Sequence, residues 1–196
     1  MTTSEAMHTS RAMDTSFAHS YNCEQMTELP NVSLPHFYFP GSTTHGGRDG
    51  ILVQVFPEQG DIWFGTFAFG RLSPNGLSGL FSTPSAGRFC VVAKGEGYLV
   101  TANARENWES VEIKPIMDVR AVVTHSLLIF ADFSRLAAYG PSGLKWRSDR
   151  IGSDGVKIAG ITDTSVHVKS WDAARQATTH VVVDLANGSQ KASNSN

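Results

Sequence analysis

The chain has 196 residues, with 16 Lys and Arg against 18 Asp and Glu, so its formal net charge is −2. This balance lacks the basic excess with which proteins hold nucleic acids, so we do not expect a nucleic-acid partner. No run approaches the roughly 18 apolar residues of a membrane span, so we expect no membrane association. The 11 Phe, 4 Trp and 4 Tyr are typical of a chain with a packed core.

The first residues, 1–28, are polar and rich in Ser, Thr and Met. They contain no apolar stretch behind a basic start, so they do not have the pattern of a secretory signal, and we predict a cytoplasmic protein. We predict a disordered polar tail over 1–28, a single domain over 29–188 and a second disordered tail over 189–196. Cys23 is then expected to be exposed, whereas Cys90, inside an apolar run, is expected to be buried.

From residue 29 onward, short apolar runs alternate with turn residues, and no long run has helical spacing. This rhythm predicts an all-β fold of antiparallel sheets of short strands, in propeller-blade-like or sandwich-like hairpin units. The predicted strands are Phe37–Phe39, Ile51–Phe56, Ile62–Phe69, Leu77–Phe81, Phe89–Ala93, Tyr98–Val100, Val111–Ile113, Val119–Val123, Leu127–Phe130, Leu136–Tyr139, Leu144–Arg147, Ile158–Ile161, Ser165–Trp171 and His180–Leu185.

A weak internal repeat runs through the middle of the chain. Trp108 and Trp146 lie 38 residues apart, and the same offset places Ala93 on Ala131. The segment Leu136–Trp146 resembles one blade of the quinoprotein-type propellers, in which a strand, a Gly turn and a Lys-Trp strand follow one another. The resemblance implies propeller-like blades, and a chain of this length has room for about four of them.

No motif for catalysis or metal binding stands out. None of the seven histidines has the spacing of the helical zinc motif, and there is no Gly-x-Ser-x-Gly turn. His167 and His180 could face each other across a hairpin and bind a metal, but two ordinary surface histidines are the favoured interpretation. We therefore predict no catalytic residue, no metal site and no cofactor, and the balance favours a protein that is not an enzyme.

Charged and aromatic residues alternate between residues 130 and 150. Because Trp and Arg are frequent at the centres of protein–protein interfaces, this stretch predicts a binding surface on an exposed sheet face. The alternative is a solvated face with the Trp packed beneath it. The candidate binding residues are Asp132, Arg135, Trp146, Arg147 and Arg150.

The runs Leu127–Phe133, Leu136–Gly140 and Trp146–Ser148 resemble a group of small uncharacterised bacterial proteins. The likeness covers the C-terminal half of the chain, and the segment Thr179–Val182 departs from it. It implies a bacterial, cytosolic, all-β protein.

These observations together predict a non-enzymatic protein-interaction module, immunity- or adaptor-like, whose partner is another protein. The alternative is a small-ligand-binding protein or a hydrolase-type enzyme with a pocket at the strand ends. Such a pocket would need polar groups converging from several loops, for which the candidates are His45, Asp61 and Asp154.

Overall fold

The computed structural model describes residues 12–172 and 176–191, and the chain there forms four four-stranded sheets. The strands are β1 (Tyr21–Met26), β2 (His36–Phe39), β3 (Gly50–Pro57), β4 (Trp63–Ala68), β5 (Gly79–Ser82), β6 (Arg88–Ala93), β7 (Glu96–Thr101), β8 (Ala104–Ser110), β9 (Asp118–Val122), β10 (Leu127–Ala131), β11 (Leu136–Gly140), β12 (Gly143–Arg147), β13 (Asp154–Ile161), β14 (Ser165–Asp172), β15 (Ala177–Asp184) and β16 (Gln190–Lys191).

Each sheet is built from four consecutive strands. The second, third and fourth sheets are antiparallel meanders, in the order of the chain. The first sheet has the order β1-β3-β4-β2, and its β2 runs parallel to β4, whereas its other pairs are antiparallel. The predicted all-β class, with sheets of short strands, is therefore confirmed, and the parallel pair of β2 and β4 departs from the predicted antiparallel pairing.

The sheets pack face to face in series, and an apolar cluster fills each of the three gaps. Trp63 and Phe89 meet between the first and second sheets, and Cys90 and Phe130 meet between the second and third. Trp146 packs with residues such as Val166 between the third and fourth sheets. Because successive residues of a strand point to opposite faces, Phe89 and Cys90 of β6 pack in two different clusters.

Both faces of the two middle sheets are therefore buried. This explains why their central strands read as unbroken apolar runs rather than as an alternation, as in Leu127–Ala131, where every side chain is buried. The two end sheets each keep one outer face toward solvent. In the first sheet, β3 shows this as an alternation of buried Ile51 and Val53 with half-buried Leu52 and Gln54.

The predicted N-terminal tail is wrong for residues 12–28, since β1 lies there and pairs with β3 along its whole length. Tyr21 and Cys23 point into the first cluster, whereas Asn22 and Glu24 point outward. The predicted domain end at 188 is also too early, because β16 pairs with β15. Residues 1–11 and 192–196 of the two predicted tails lie outside the described residues.

Two further expectations fail in the same way. Cys23 was expected in an exposed tail but is buried, as Cys90 is. The predicted strand Val111–Ile113 is a loop, and the strand that pairs with β7 is β8, which ends at Ser110. The 38-residue repeat does relate equivalent positions, since Trp108 and Trp146 lie in the fourth strands of successive sheets.

Candidate functional site

The residues predicted to form a binding surface lie in or beside the third sheet, and some of them have structural roles there. The Trp146 indole is only 6% exposed and packs in the third cluster, so it does not belong to an exposed face. Its Nε1 donates to the carbonyl oxygen of Leu185 at 2.9 Å. The alternation of Leu144, Lys145 and Trp146 suggested a half-exposed strand, but the fourth sheet covers the tryptophan.

Asp132 is buried at the turn between β10 and β11. Its Oδ1 accepts hydrogen bonds from the backbone nitrogens of Ser134 at 2.6 Å and Arg135 at 2.7 Å. A carboxylate that closes a turn in this way stabilises the backbone, so Asp132 is occupied structurally. The side chain of Arg135 is exposed beside it.

Arg147 and Arg150 are exposed. An oxygen of Glu112 lies 3.2 Å from Nη1 of Arg147, and both side chains are about half exposed, so this pair adds little stability. Nε of Arg150 donates to the carbonyl oxygen of Gly152 at 3.0 Å. The three predicted arginines are therefore exposed, but the tryptophan predicted to lie among them on the surface is buried.

The alternative prediction was a pocket at the strand ends, and the residues proposed for it, His45 and Asp61, do not lie together. His45 lies in the loop before β3 and Asp61 in the loop after it, so the eight residues of β3 separate them. At about 3.3 Å per residue, that distance is too large for one ligand to bridge. The side chain of Asp154 lies outside the described residues.

A groove of about 490 Å³ lies instead on the outer face of the first sheet. Strand register places Leu52, Thr66 and Tyr38 side by side on three neighbouring strands, and they form its floor. Leu29, from the loop after β1, and Phe69, directly after β4, form apolar parts of its rim. These two side chains are 53% and 38% exposed.

The loop before β3 forms a further wall of the groove, next to Phe69. Gly47 lies directly against the ring of Tyr38, and a Cβ at position 47 would overlap that ring. Glycine therefore lets the loop close over the tyrosine, where any other residue would push it away. Arg48 and Asp49, both exposed, follow in the same loop and add charge to the groove.

His36 and Thr66 supply the central polar contact of the groove. Nε2 of His36 lies 2.8 Å from Oγ1 of Thr66, in hydrogen-bonding distance. The ring of Tyr38 lies over the imidazole, with the ring centres 4.5 Å apart. Burial lowers the pKa of His36 below its ordinary value of 6.5, so the imidazole is neutral at pH 7.

A neutral imidazole within hydrogen-bonding distance of a hydroxyl is the arrangement in which a general base activates a nucleophile. Catalysis of that type also needs a group that orients the base and donors that hold the developing negative charge. Among the described residues, the ring neighbours of His36 are aromatic, namely Tyr38 and Phe64. The groove therefore has the composition of a binding surface more than of a reaction centre.

No pattern in the sequence predicted this groove. His36 was considered only as one of seven histidines, and Thr66 only as part of a strand. They meet because β2 pairs in parallel with β4, and a parallel pairing of two nearby strands leaves no local signal in the sequence.

In the same described part of the chain, no cluster of three or more His, Cys, Asp or Glu side chains has the arrangement of a metal site. His167 and His180 do not pair directly, because His180 lies opposite Lys169. Within residues 12–172 and 176–191 there is no helix long and apolar enough to cross a membrane. No protein-family profile matches this chain, and no curated protein is significantly similar to it.

Proposed function

We propose that the protein is a non-enzymatic interaction module that binds another protein through the outer face of its first sheet. The observation that carries this proposal is the pair of exposed apolar side chains, Leu29 and Phe69, on the rim of one groove. Apolar side chains scattered singly over a surface need no explanation, but two that border one concave face favour a partner that covers them.

The floor of the groove supports the same function. Leu52 and Tyr38 offer an apolar base, and the His36–Thr66 pair offers polar atoms that fix the orientation of what binds. Interfaces commonly combine a few buried anchors with a small number of placed hydrogen-bonding groups. We infer that an apolar side chain of the partner occupies the space between Leu29 and Phe69.

The proposal keeps the immunity- or adaptor-like role predicted from the sequence and moves its surface away from Trp146. It includes a bacterial, cytoplasmic setting, which the resemblance of the C-terminal half supports. It also includes the reading of the four sheets as propeller-like blades, which the serial face-to-face packing supports.

The test is quantitative affinity capture from cytosol of the source cells. Phe69→Glu places a charge on the rim of the groove, and Leu72→Glu is the matched control, because Leu72 is 66% exposed and does not line the groove. We expect the wild type and Leu72→Glu to retain a partner in stoichiometric amount, and Phe69→Glu to lose it. Capture of no protein by the wild type, or equal capture by Phe69→Glu, would overturn the proposal.

The His36–Thr66 contact favours a second candidate, a hydrolase-type enzyme or small-ligand-binding protein using the same groove. Activated aryl esters are suitable probes, because a hydroxyl activated by a neutral histidine attacks such carbonyls. Hydrolysis that is lost in both Thr66→Ala and His36→Asn would establish the enzyme. Hydrolysis no faster than in buffer alone would leave the interaction module as the function of the groove.

A further inference from the structure

The outer face of the fourth sheet carries a row of basic side chains. Val156, Ile158, Val166 and Val168 face the third sheet, so the residues that alternate with them point away from the molecule. In β13, β14 and β15 the register places Lys157 opposite Lys169, and Lys169 opposite His180. We call Lys157, Lys169 and His180 the basic row, and all three are exposed.

This arrangement opposes the stability of the free protein. The Cβ atoms of residues directly opposite each other on neighbouring strands lie about 5 Å apart, and like charges placed opposite each other are destabilising. The ion pairs between side chains that the structure describes do not include Lys157 or Lys169. A face that only had to remain soluble would do better with charges of both signs.

An aromatic side chain lies beside the basic row. Trp171 is two residues beyond Lys169 in β14, so both project from the same face, and its side chain is 43% exposed. Of the other tryptophans, Trp63 and Trp146 are buried in clusters, and Trp108 is partly buried against the first cluster. An exposed tryptophan next to exposed lysines has the composition of an interface centre.

We propose that the outer face of the fourth sheet binds an acidic, extended segment of a partner protein. Carboxylates of that segment would pair with Lys157 and Lys169, and an apolar side chain of the segment would cover Trp171. The face is complementary in charge to such a segment, because Lys157 and Lys169 lie directly opposite each other and a carboxylate across them would relieve their repulsion.

A protein segment fits this face better than a nucleic acid does. Nucleic-acid affinity rests on neutralising many phosphates at once, whereas this face offers two lysines on a chain whose net charge is −2. The face also lies at the opposite end of the sheet series from the groove on the first sheet. Two chemically different end faces would let one molecule join two partners, as an adaptor does.

The test is titration calorimetry of the full chain at low ionic strength with a short synthetic peptide of alternating Glu and Ser containing one Leu. The same peptide with Gln in place of Glu, and single-stranded DNA of equal charge, are the comparison probes. The variants are Lys157→Gln with Lys169→Gln, Trp171→Ala and, as matched control, Lys145→Gln, an exposed lysine of the third sheet.

We expect the Glu peptide to bind the wild type and Lys145→Gln equally, and the Gln peptide not to bind. The double lysine variant and Trp171→Ala should each weaken binding by about tenfold or more, the range of a lost charge-assisted contact or an interface anchor. No binding of the Glu peptide, an equal loss in Lys145→Gln, or equally tight binding of DNA with the same dependence on the lysines would overturn the proposal.

A second readout does not depend on the choice of peptide. If the row is repulsive, Lys169→Gln should raise the thermal unfolding midpoint of the free protein, because it removes the charge between two basic neighbours. Lys145→Gln should leave the midpoint unchanged. A midpoint that Lys169→Gln lowers would contradict the premise that the row opposes the stability of the free protein.

Discussion

Trp146 and Leu185 lie 39 residues apart in the chain, and Nε1 of Trp146 donates to the carbonyl oxygen of Leu185 at 2.9 Å. Trp63 and Ala102 are separated by the same 39 residues and are joined by the same bond, at 2.8 Å. In both cases a tryptophan of one sheet reaches the turn after the third strand of the next. The chain therefore repeats one linkage between the first and second sheets and between the third and fourth, in which a buried indole donates to a carbonyl on the neighbouring sheet.

The first prediction concerns this bond. Trp146→Phe keeps an aromatic ring between the third and fourth sheets but removes the donor, which leaves the carbonyl of Leu185 buried without this partner. We expect the free energy of unfolding to fall by about 1–3 kcal/mol, measured by urea denaturation. Trp171→Phe is the control, since that side chain is exposed, and should change stability by no more than about 0.5 kcal/mol.

A change at Gly188 tests the same packing independently. Gly188 has a φ of +76°, and a Cβ there would lie 2.6 Å from Cε3 of Trp146. Gly188→Ala should therefore destabilise the protein by about 1–3 kcal/mol, because it combines backbone strain with overlap on the indole. Unchanged stability in both Gly188→Ala and Trp146→Phe would show that the indole does not lie at this interface.

The second prediction concerns the N-terminal strand. Tyr21 is buried, its ring packs on Phe89 and its hydroxyl donates to the carbonyl oxygen of Arg88 at 2.7 Å. Tyr21→Ala should cost about 3–5 kcal/mol, the usual range for deleting a buried aromatic ring, and urea denaturation would measure it.

The outward neighbour Glu24 provides the control for that change. Glu24→Ala should remain within about 0.5 kcal/mol of the wild type, because the side chain is exposed on β1. If both substitutions change stability by equal and small amounts, residues 21–26 belong to the disordered tail that the sequence predicted.

The third prediction concerns the two thiols. Cys23 and Cys90 are both buried, and burial raises the pKa of each thiol well above its ordinary value. Since the thiolate is the reactive form, we expect neither cysteine to react with a thiol reagent in the native protein, and both to react in denaturant. Rapid modification of Cys23 in the native protein, identified by peptide mass spectrometry, would instead place Cys23 at the surface.

The fourth prediction concerns pH. Burial lowers the pKa of His36 in the folded chain, so the unfolded chain binds a proton first as the pH falls. The contribution of His36 to stability is complete above about pH 6.5 and is lost as the pH falls from there through the lower folded pKa. As the pH falls from about 7 to about 5, the range around the ordinary His pKa, the free energy of unfolding should therefore fall less steeply in His36→Asn than in the wild type.

Urea denaturation of the wild type and His36→Asn at several pH values measures this difference. His125 is exposed at the end of the 3₁₀ helix Val123–His125 that follows β9, so His125→Asn is a suitable comparison. Parallel pH profiles of the wild type and His36→Asn would show that the imidazole is not shielded in the groove.

The sequence by itself determined the fold class. Strands in the two middle sheets were predicted because both of their faces are buried, which requires continuous apolar runs such as Leu127–Ala131. Turn residues then marked where those runs end. The edge strand β1 was missed although Tyr21 and Cys23 alternate with polar residues, because one buried face leaves only a short and partly polar pattern.

Only the tertiary structure decided which faces are covered. Trp146 lies in a strand of alternating character that predicts one buried and one exposed face, and the stacking of the fourth sheet determined that its face is the buried one. The groove depends on the parallel pairing of β2 with β4, which brings His36 to Thr66. Burial and pairing between distant segments are properties of the packed sheets, and local residue patterns do not encode them.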